Sequence, residues 1–128
     1  MIFTGLKRDT TDKYYTSSKA VSFCISHLQS HIQIGSDDVC IEPSAGNGSF
    51  VHGIKSTFPH YKFYDLEPDH DEVEKQDYLA LQVVQPVHGS VHVVGNPPFG
   101  RQSSLAIKFI KKSAEYCDSI SFILPKSF

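Results

Sequence analysis

The sequence predicts an α/β fold: a mostly parallel β-sheet with helices on its faces. Strand-like and helix-like segments alternate along the 128 residues, which is typical of parallel strands joined by helical crossovers. The chain is 40% hydrophobic and 20% charged, an ordinary balance for a globular protein. Its length fits one domain, so residues 1–128 are expected to form a single unit.

The N-terminal part predicts an arm followed by a helix. Residues 1–13 are polar and are expected to form a flexible arm. Thr16, Ser17 and Ser18 supply N-cap candidates, and Gly35 is the expected C-cap. Between these residues, one apolar face recurs at helical spacing and consists of Val21, Cys24, Ile25, Leu28 and Ile32.

Five strands and two further helices are predicted in the rest of the chain. Apolar runs place the strands at 38–42, 61–66, 72–76, 91–95 and 120–124. Helices are expected at 49–57 and 103–117, the second with Leu105, Ile107, Phe109, Ile110 and Ala114 in the core. Parallel sheets bind ligands outside the carboxyl ends of their strands, so residues that follow each strand are the site candidates.

Composition and spacing argue against several classes of protein. No apolar run could span a bilayer and no signal-peptide core is evident, so a cytoplasmic protein is expected, with a nuclear or viral origin left open. Cys24, Cys40 and Cys117 form no CxxC pair and are expected to be buried small hydrophobes. His27 and His31 lack a third ligand, so no metal site is expected.

The net charge does not match that of a stand-alone nucleic-acid binder. Such proteins are usually basic because contacts with phosphates supply most of their non-specific affinity. This chain has a net charge of −2, so we expect another segment or chain to supply most of the affinity for a nucleic acid.

A glycine-bearing loop, Glu42-Pro43-Ser44-Ala45-Gly46, follows the first strand. Glycine lets the backbone turn sharply and approach a ligand closely. Glu42 stands where a dinucleotide motif would meet phosphate, and its carboxylate suits a ligand with a cationic end instead. S-adenosylmethionine carries an ammonium and a sulfonium and is the expected cofactor. A tight turn without a ligand is the alternative interpretation.

Acidic residues follow the second and third strands. Asp65 is expected to accept both ribose hydroxyls of the cofactor, with Glu67 as the alternative. Leu66 points the other way and is expected to cover the adenine. Asp77 is a candidate acceptor for the adenine amino group, although the residue also fits a surface loop.

The fourth strand runs directly into Asn96-Pro97-Pro98-Phe99. Two prolines stiffen this loop and remove two N–H donors, so it presents acceptors. The Asn96 side-chain oxygen and the Pro97 carbonyl can both accept from one NH2 group, which draws that nitrogen toward tetrahedral geometry and frees its lone pair. Phe99 is expected to stack on the target base, which must leave its helix or arrive single-stranded.

From about Asp12 to Phe128 the chain resembles class I S-adenosylmethionine-dependent amino-methyltransferases with an Asn-Pro-Pro-aromatic box. The resemblance implies a Rossmann-like fold and a catalytic role for the box, of which Asn96 also contacts cofactor. It implies that Tyr15 and Thr16 contact the methionine end, and that Asp77 and Tyr78 contact the adenine.

The motifs are most similar to those of DNA adenine-N6 methyltransferases, which implies methyl transfer to N6 of adenine in DNA. RNA adenine, a protein glutamine, and a truncated module that binds cofactor or partner without turnover remain alternatives. The resemblance also implies that strands six and seven are missing after Phe128. The fifth strand is then an open edge, which a second chain or an oligomer could complete.

Overall fold

A computed structural model describes residues 16–83, 85–126 and 128. The expected arm at 1–13 and the proposed cofactor contact Tyr15 lie outside the described residues. Five strands are present: β1 (Val39–Glu42), β2 (His60–Asp65), β3 (Glu74–Lys75), β4 (Val91–Gly95) and β5 (Ser119–Phe122). They form one sheet in the order β3-β2-β1-β4-β5, and every pairing is parallel. The predicted Rossmann-like α/β class is confirmed.

The helices are α1 (Ser18–His31), α2 (Val51–Thr57) and α3 (Ser104–Ala114), with 3₁₀ turns at Tyr78–Ala80 and Arg101–Ser103. The start of α1 is confirmed, since the Ser17 side chain accepts from Ala20 N at 3.2 Å. Its predicted end at Gly35 is wrong. The backbone is already extended at Ile32, which packs against the core together with Ile34.

The alternation of side chains along each strand divides the core between the two faces of the sheet. Cys40 and Val94 point into a cluster with the apolar faces of α1 and α2. Their strand neighbours Ile41 and Val93 point into a second cluster with α3 and Tyr78. Helices therefore cover both faces, and the strand ends are left to form a site.

The predicted core face of α3 needs correction. Ile107 is 40% exposed and Ala114 is also exposed, whereas Ala106 and Ser113 are fully buried. Ser113 can be buried because its hydroxyl donates to Phe109 O at 2.8 Å and bonds to Tyr78. The helix also ends at Ala114 rather than at the predicted residue 117.

Two of the three cysteines follow the prediction. Cys24 and Cys40 are buried, and burial raises the pKa of the Cys24 thiol to about 11. Cys117, in contrast, is only partly buried, because it lies in the turn between α3 and β5. No helix in the described part of the chain has the length and apolar character needed to cross a membrane.

A buried polar network joins the amino-terminal ends of three strands. Asp38, just before β1, accepts from Ser90 N at 2.9 Å and pairs with His92 Nε2 at 2.7 Å. His92 Nδ1 lies 2.7 Å from Ser119 Oγ, at the start of β5. The network holds β1, β4 and β5 in register at their amino-terminal ends, opposite the carboxyl ends where the site lies.

Candidate active site

The carboxyl ends of β1, β2 and β4 open into one cleft of about 220 Å³. In this strand order the chain leaves β1 toward β2 and later returns to β4 on the other side, so β1 and β4 flank the switch point where α/β sheets bind ligands. The lining comprises Thr16, Glu42, Pro43, Ser44, Ala45, Gly46, Asn47, Ser49, Phe50, Asp65, Leu66, Glu67, Gln76, Tyr78, Asn96, Pro97, Pro98, Leu105 and Phe109.

The glycine loop is fixed to the end of β2 by the Asp65 carboxylate. Asp65 Oδ2 accepts from Gly46 N at 2.8 Å, and its Oδ1 accepts from Glu67 N at 2.8 Å. Gly46 has a φ of 55°, a left-handed conformation that favours glycine. A carboxylate offers about four lone-pair positions. Asp65 therefore shapes the loop and still has acceptor capacity for a ligand.

Glu42 ends β1 at the floor of the cleft, and it is 1% exposed. The pKa of its carboxyl is raised to about 8: burial is the largest cause, a hydrogen bond from Ser44 N opposes the shift, and the charge of Asp65 adds to it. The carboxyl is therefore mostly protonated at neutral pH. A cation brought into the cleft would favour the ionised form.

The charge of the lining distinguishes between classes of ligand. Its carboxyl-bearing residues are Glu42, Asp65 and Glu67, and no Lys, Arg or His is among the described residues that line the cleft. The carboxylates of this lining would repel a phosphate, and no basic side chain among the described lining residues would offset that repulsion, whereas an ammonium or sulfonium group would be attracted. The described residues also contain no group of three or more His, Cys, Asp or Glu side chains that could hold a metal.

Asn96 lies directly after β4 and is held by two hydroxyls. Its Nδ2 donates to Thr16 Oγ1 at 3.1 Å, and its backbone carbonyl accepts from Ser44 Oγ at 3.0 Å. Its Oδ1 is buried and has no hydrogen-bond partner among the described residues. A buried acceptor without a partner costs about 1–3 kcal/mol, so this oxygen is suited to a ligand that donates.

Two residues singled out in the sequence lie outside the lining. Phe99 is 8% exposed, so its ring is not available to a base in this conformation. Asp77 is exposed, and its Oδ1 accepts from Leu79 N at 3.1 Å as the cap of a 3₁₀ turn. The neighbouring Gln76 lines the cleft instead. Gln76 N donates to Asp65 O at 2.9 Å, so this residue continues the pairing of β3 with β2.

Sequence reasoning also missed part of the apolar wall, formed by Phe50, Leu105 and Phe109. Leu105 and Phe109 were predicted as core residues of α3, and a side chain at the rim of a core also faces the adjoining cleft. Helical spacing identifies the apolar face, but it does not distinguish its rim from its centre.

A parallel sheet with an acidic cleft at its switch point defines an α/β domain of the Rossmann-like class. Residues 52–126 match the family model described as the EDM2 methyltransferase-like domain. The chain is also 37% identical over 129 residues to Protein ENHANCED DOWNY MILDEW 2 of Arabidopsis thaliana, and the alignment covers 94% of this chain. The chain therefore belongs to the EDM2 methyltransferase-like domain family.

The match with the Arabidopsis protein covers only 10% of that protein, so the chain spans about a tenth of the length of this curated relative. The family model starts at residue 52, after the glycine loop, and includes the segment from Asn96 to Phe99. Membership of a methyltransferase-like family implies a cofactor of the S-adenosylmethionine type, and the acidic lining fits such a group.

Proposed function

We propose that this domain binds S-adenosylmethionine in the cleft and directs methyl transfer to an exocyclic amino nitrogen, that of adenine N6 in DNA. The observation that carries the proposal is the buried Asn96 Oδ1, an acceptor without a partner among the described residues. An NH2 group supplies the donor that this oxygen lacks. The surrounding lining offers acidic groups to a cationic cofactor and no basic side chain to a phosphate.

The residues proposed to hold the cofactor come from three strand ends. Asp65 has acceptor capacity left for the ribose hydroxyls, while Leu66 and Tyr78 supply apolar surface for the adenine. Thr16 and the glycine loop 42–46 are proposed to hold the methionine end, with Glu42 supplying negative charge in the ionised form that the bound cation favours. When bound, S-adenosylmethionine supplies an electrophilic methyl carbon, whose bonding electron pair leaves with sulfur as the new N–C bond forms.

The protein's own contribution is positioning and electrostatics. Asn96 Oδ1 and the Pro97 carbonyl are each proposed to accept a hydrogen bond from one N–H of the target NH2. This draws the lone pair out of the conjugated ring and orients it, and such preorganisation supplies much of the catalysis in sites of this type. The methylated nitrogen then loses one proton to water, so no strong general base is required.

A second candidate is a module that holds cofactor without turnover. The burial of Phe99 favours it, because the ring would have to leave its position to stack on a flipped base. RNA adenine and protein glutamine present the same planar NH2 group, and the acceptors at Asn96 and Pro97 do not distinguish them from DNA adenine. The three substrates are therefore separated by experiment.

In the test, this chain is incubated with radiolabelled S-adenosylmethionine and with pools of DNA, RNA and protein. We expect label in DNA at N6 of adenine. Asn96→Ala should retain cofactor binding and lower transfer by about 100-fold or more, because it removes an acceptor that acts on the reacting nitrogen.

The matched control is Gln33→Ala, which truncates an exposed amide that does not line the cleft and should leave transfer unchanged. Equal turnover by wild type and Asn96→Ala would refute the role of the box. Tight cofactor binding without label in any polymer would favour the second candidate. Label in RNA or protein alone would keep the amino chemistry and reassign the substrate.

A further inference from the structure

We propose that Thr16 is a positioning residue, which holds the side-chain amide of Asn96 so that its oxygen faces the target amine. The inference rests on the proposed function and adds to it. The sequence resemblance assigned Thr16 to the methionine end of the cofactor. The contact of its hydroxyl with Asn96 gives it a separate role in presenting the acceptor.

The contact is long-range and buried. Asn96 Nδ2 donates to Thr16 Oγ1 at 3.1 Å across 80 positions of sequence, and each of the two residues is 9% exposed. Within the protein a hydrogen bond is electrostatically stronger than in water. An accidental surface contact would not have this burial.

The hydroxyl is held in place by helix α1. Thr16 immediately precedes the N-cap Ser17, and Val21 N donates to Ser17 O at 3.0 Å in the first turn. The helix packs on the sheet through a buried face that includes Val21 and Ile25. The position of Thr16 is thus set by an element packed on the core.

Without this contact the side-chain amide of Asn96 could rotate, and the rotation would change which of its atoms faces the target amine. The terminal torsion of asparagine is broad, and its rotation exchanges an acceptor for a donor. Ser44 Oγ bonds to the Asn96 backbone carbonyl and so fixes the main chain but not the side-chain torsion. The Thr16 contact restrains the remaining torsion, in an orientation in which Nδ2 bonds to Thr16 and Oδ1 is the unpaired atom.

The first test needs no methyl transfer. In the ¹⁵N-labelled chain, the side-chain NH2 signals of Asn96 are identified by their loss in Asn96→Ala. We expect slow exchange with water in wild type, at least about tenfold faster exchange in Thr16→Val, and recovery in Thr16→Ser, which retains the hydroxyl. Equal exchange in wild type and Thr16→Val would overturn the proposal.

The second test measures the coupling between Thr16 and Asn96 in transfer. Thr16→Val should lower kcat by about tenfold, as expected for one lost hydrogen bond, and this loss is separate from any rise in the cofactor KM that follows from the contact of Thr16 with the methionine end. Thr16→Ser should recover most of the rate. In an Asn96→Ala background, Thr16→Val should have no further effect on kcat, because the amide that Thr16 positions is gone.

A similar loss from Thr16→Val in both backgrounds would overturn the proposal, since a merely structural role at the start of α1 persists without Asn96. Thermal unfolding of each variant establishes that it folds. If wild type labels no polymer, the proposed function fails, and amide exchange alone still decides whether Thr16 positions Asn96.

Discussion

At the floor of the cleft, the Glu42 carboxyl leaves no room for a side chain at Gly95. A Cβ added at Gly95 would lie 2.3 Å from Glu42 Oε2, and the φ of Gly95 is 155°, which side chains rarely adopt. A buried carboxyl beside β4 therefore requires a residue without a side chain at this position. The requirement links the last residue of β4 to the residue proposed to attract the cationic cofactor.

Gly95→Ala is expected to lower the free energy of unfolding by about 1–3 kcal/mol, because either the carboxyl or the strand must shift. Urea denaturation measures the loss. The double variant with Glu42→Ala removes the group that the new methyl meets, so it should lose less than the sum of the two single variants. Additive losses would contradict the proposed steric conflict.

At the scale of elements, a chain of hydroxyls ties the 3₁₀ turn at Tyr78 to α3. Ser113 donates to Phe109 O, so its oxygen accepts from Tyr78, and Tyr78 in turn accepts from the Tyr116 hydroxyl. Burial is the largest cause of the raised pKa of Tyr78. The rings of Tyr78 and Phe109 lie 5.1 Å apart and both line the cleft. The network therefore stiffens one wall of the site.

Tyr78→Phe should cost about 1–3 kcal/mol of unfolding free energy, because it removes the shared partner of the buried Ser113 hydroxyl and the partly buried Tyr116 hydroxyl. The control is Tyr61→Phe, whose ring is 37% exposed and whose loss should stay below about 0.5 kcal/mol. Both are measured by chemical denaturation. Equal losses would mean that the hydroxyl chain contributes nothing to stability.

Strands were predicted better than helix ends, for reasons visible in particular residues. β4 has its predicted bounds because a continuous apolar run meets Asn96 and two prolines, which end it sharply. The end of α1 was missed because Ile32 suits either a helix face or an extended segment that packs on the core. The buried Ser113 was missed because periodicity counts apolar residues and does not register a polar one with partners.

The cleft residues that could be predicted from the sequence are those that directly follow a strand. Glu42, Asp65 and Asn96 line one cleft because parallel strands bring their carboxyl ends to the same edge. Asp77 and Phe99 lie in irregular segments, where sequence does not fix the direction of a side chain. Their proposed contacts with cofactor and base stay predictions.

On the scale of the whole molecule, pH changes the free energy of unfolding through Asp38 and Glu42, which lie at opposite ends of β1. The two effects have opposite sign. Burial alone would raise the pKa of the Asp38 carboxyl, but hydrogen bonds from Ser90, His92 and Gly35 lower it overall. Its contribution to stability is therefore present above its unfolded pKa and is lost as pH falls through the folded one. The raised pKa of Glu42 at the opposite end has the reverse effect.

For Glu42 the folded pKa is about 8 against an ordinary value of 4.5, so the folded state holds the proton more tightly. Its contribution to stability is full below 4.5 and is lost as pH rises to about 8. The slope approaches about 1.4 kcal/mol per pH unit. Urea denaturation between these limits should show this decline in wild type and not in Glu42→Gln. Parallel profiles for the two proteins would contradict the assignment.

Calorimetric titration of the chain measures whether the cleft binds S-adenosylmethionine. We expect binding of S-adenosylmethionine and S-adenosylhomocysteine, and affinity weaker by at least about tenfold in Asp65→Ala, which is about 1.4 kcal/mol. Asp71→Ala removes the same charge from an exposed residue outside the cleft and should change the affinity little. No binding by wild type, or equal affinity in Asp65→Ala, would contradict the account.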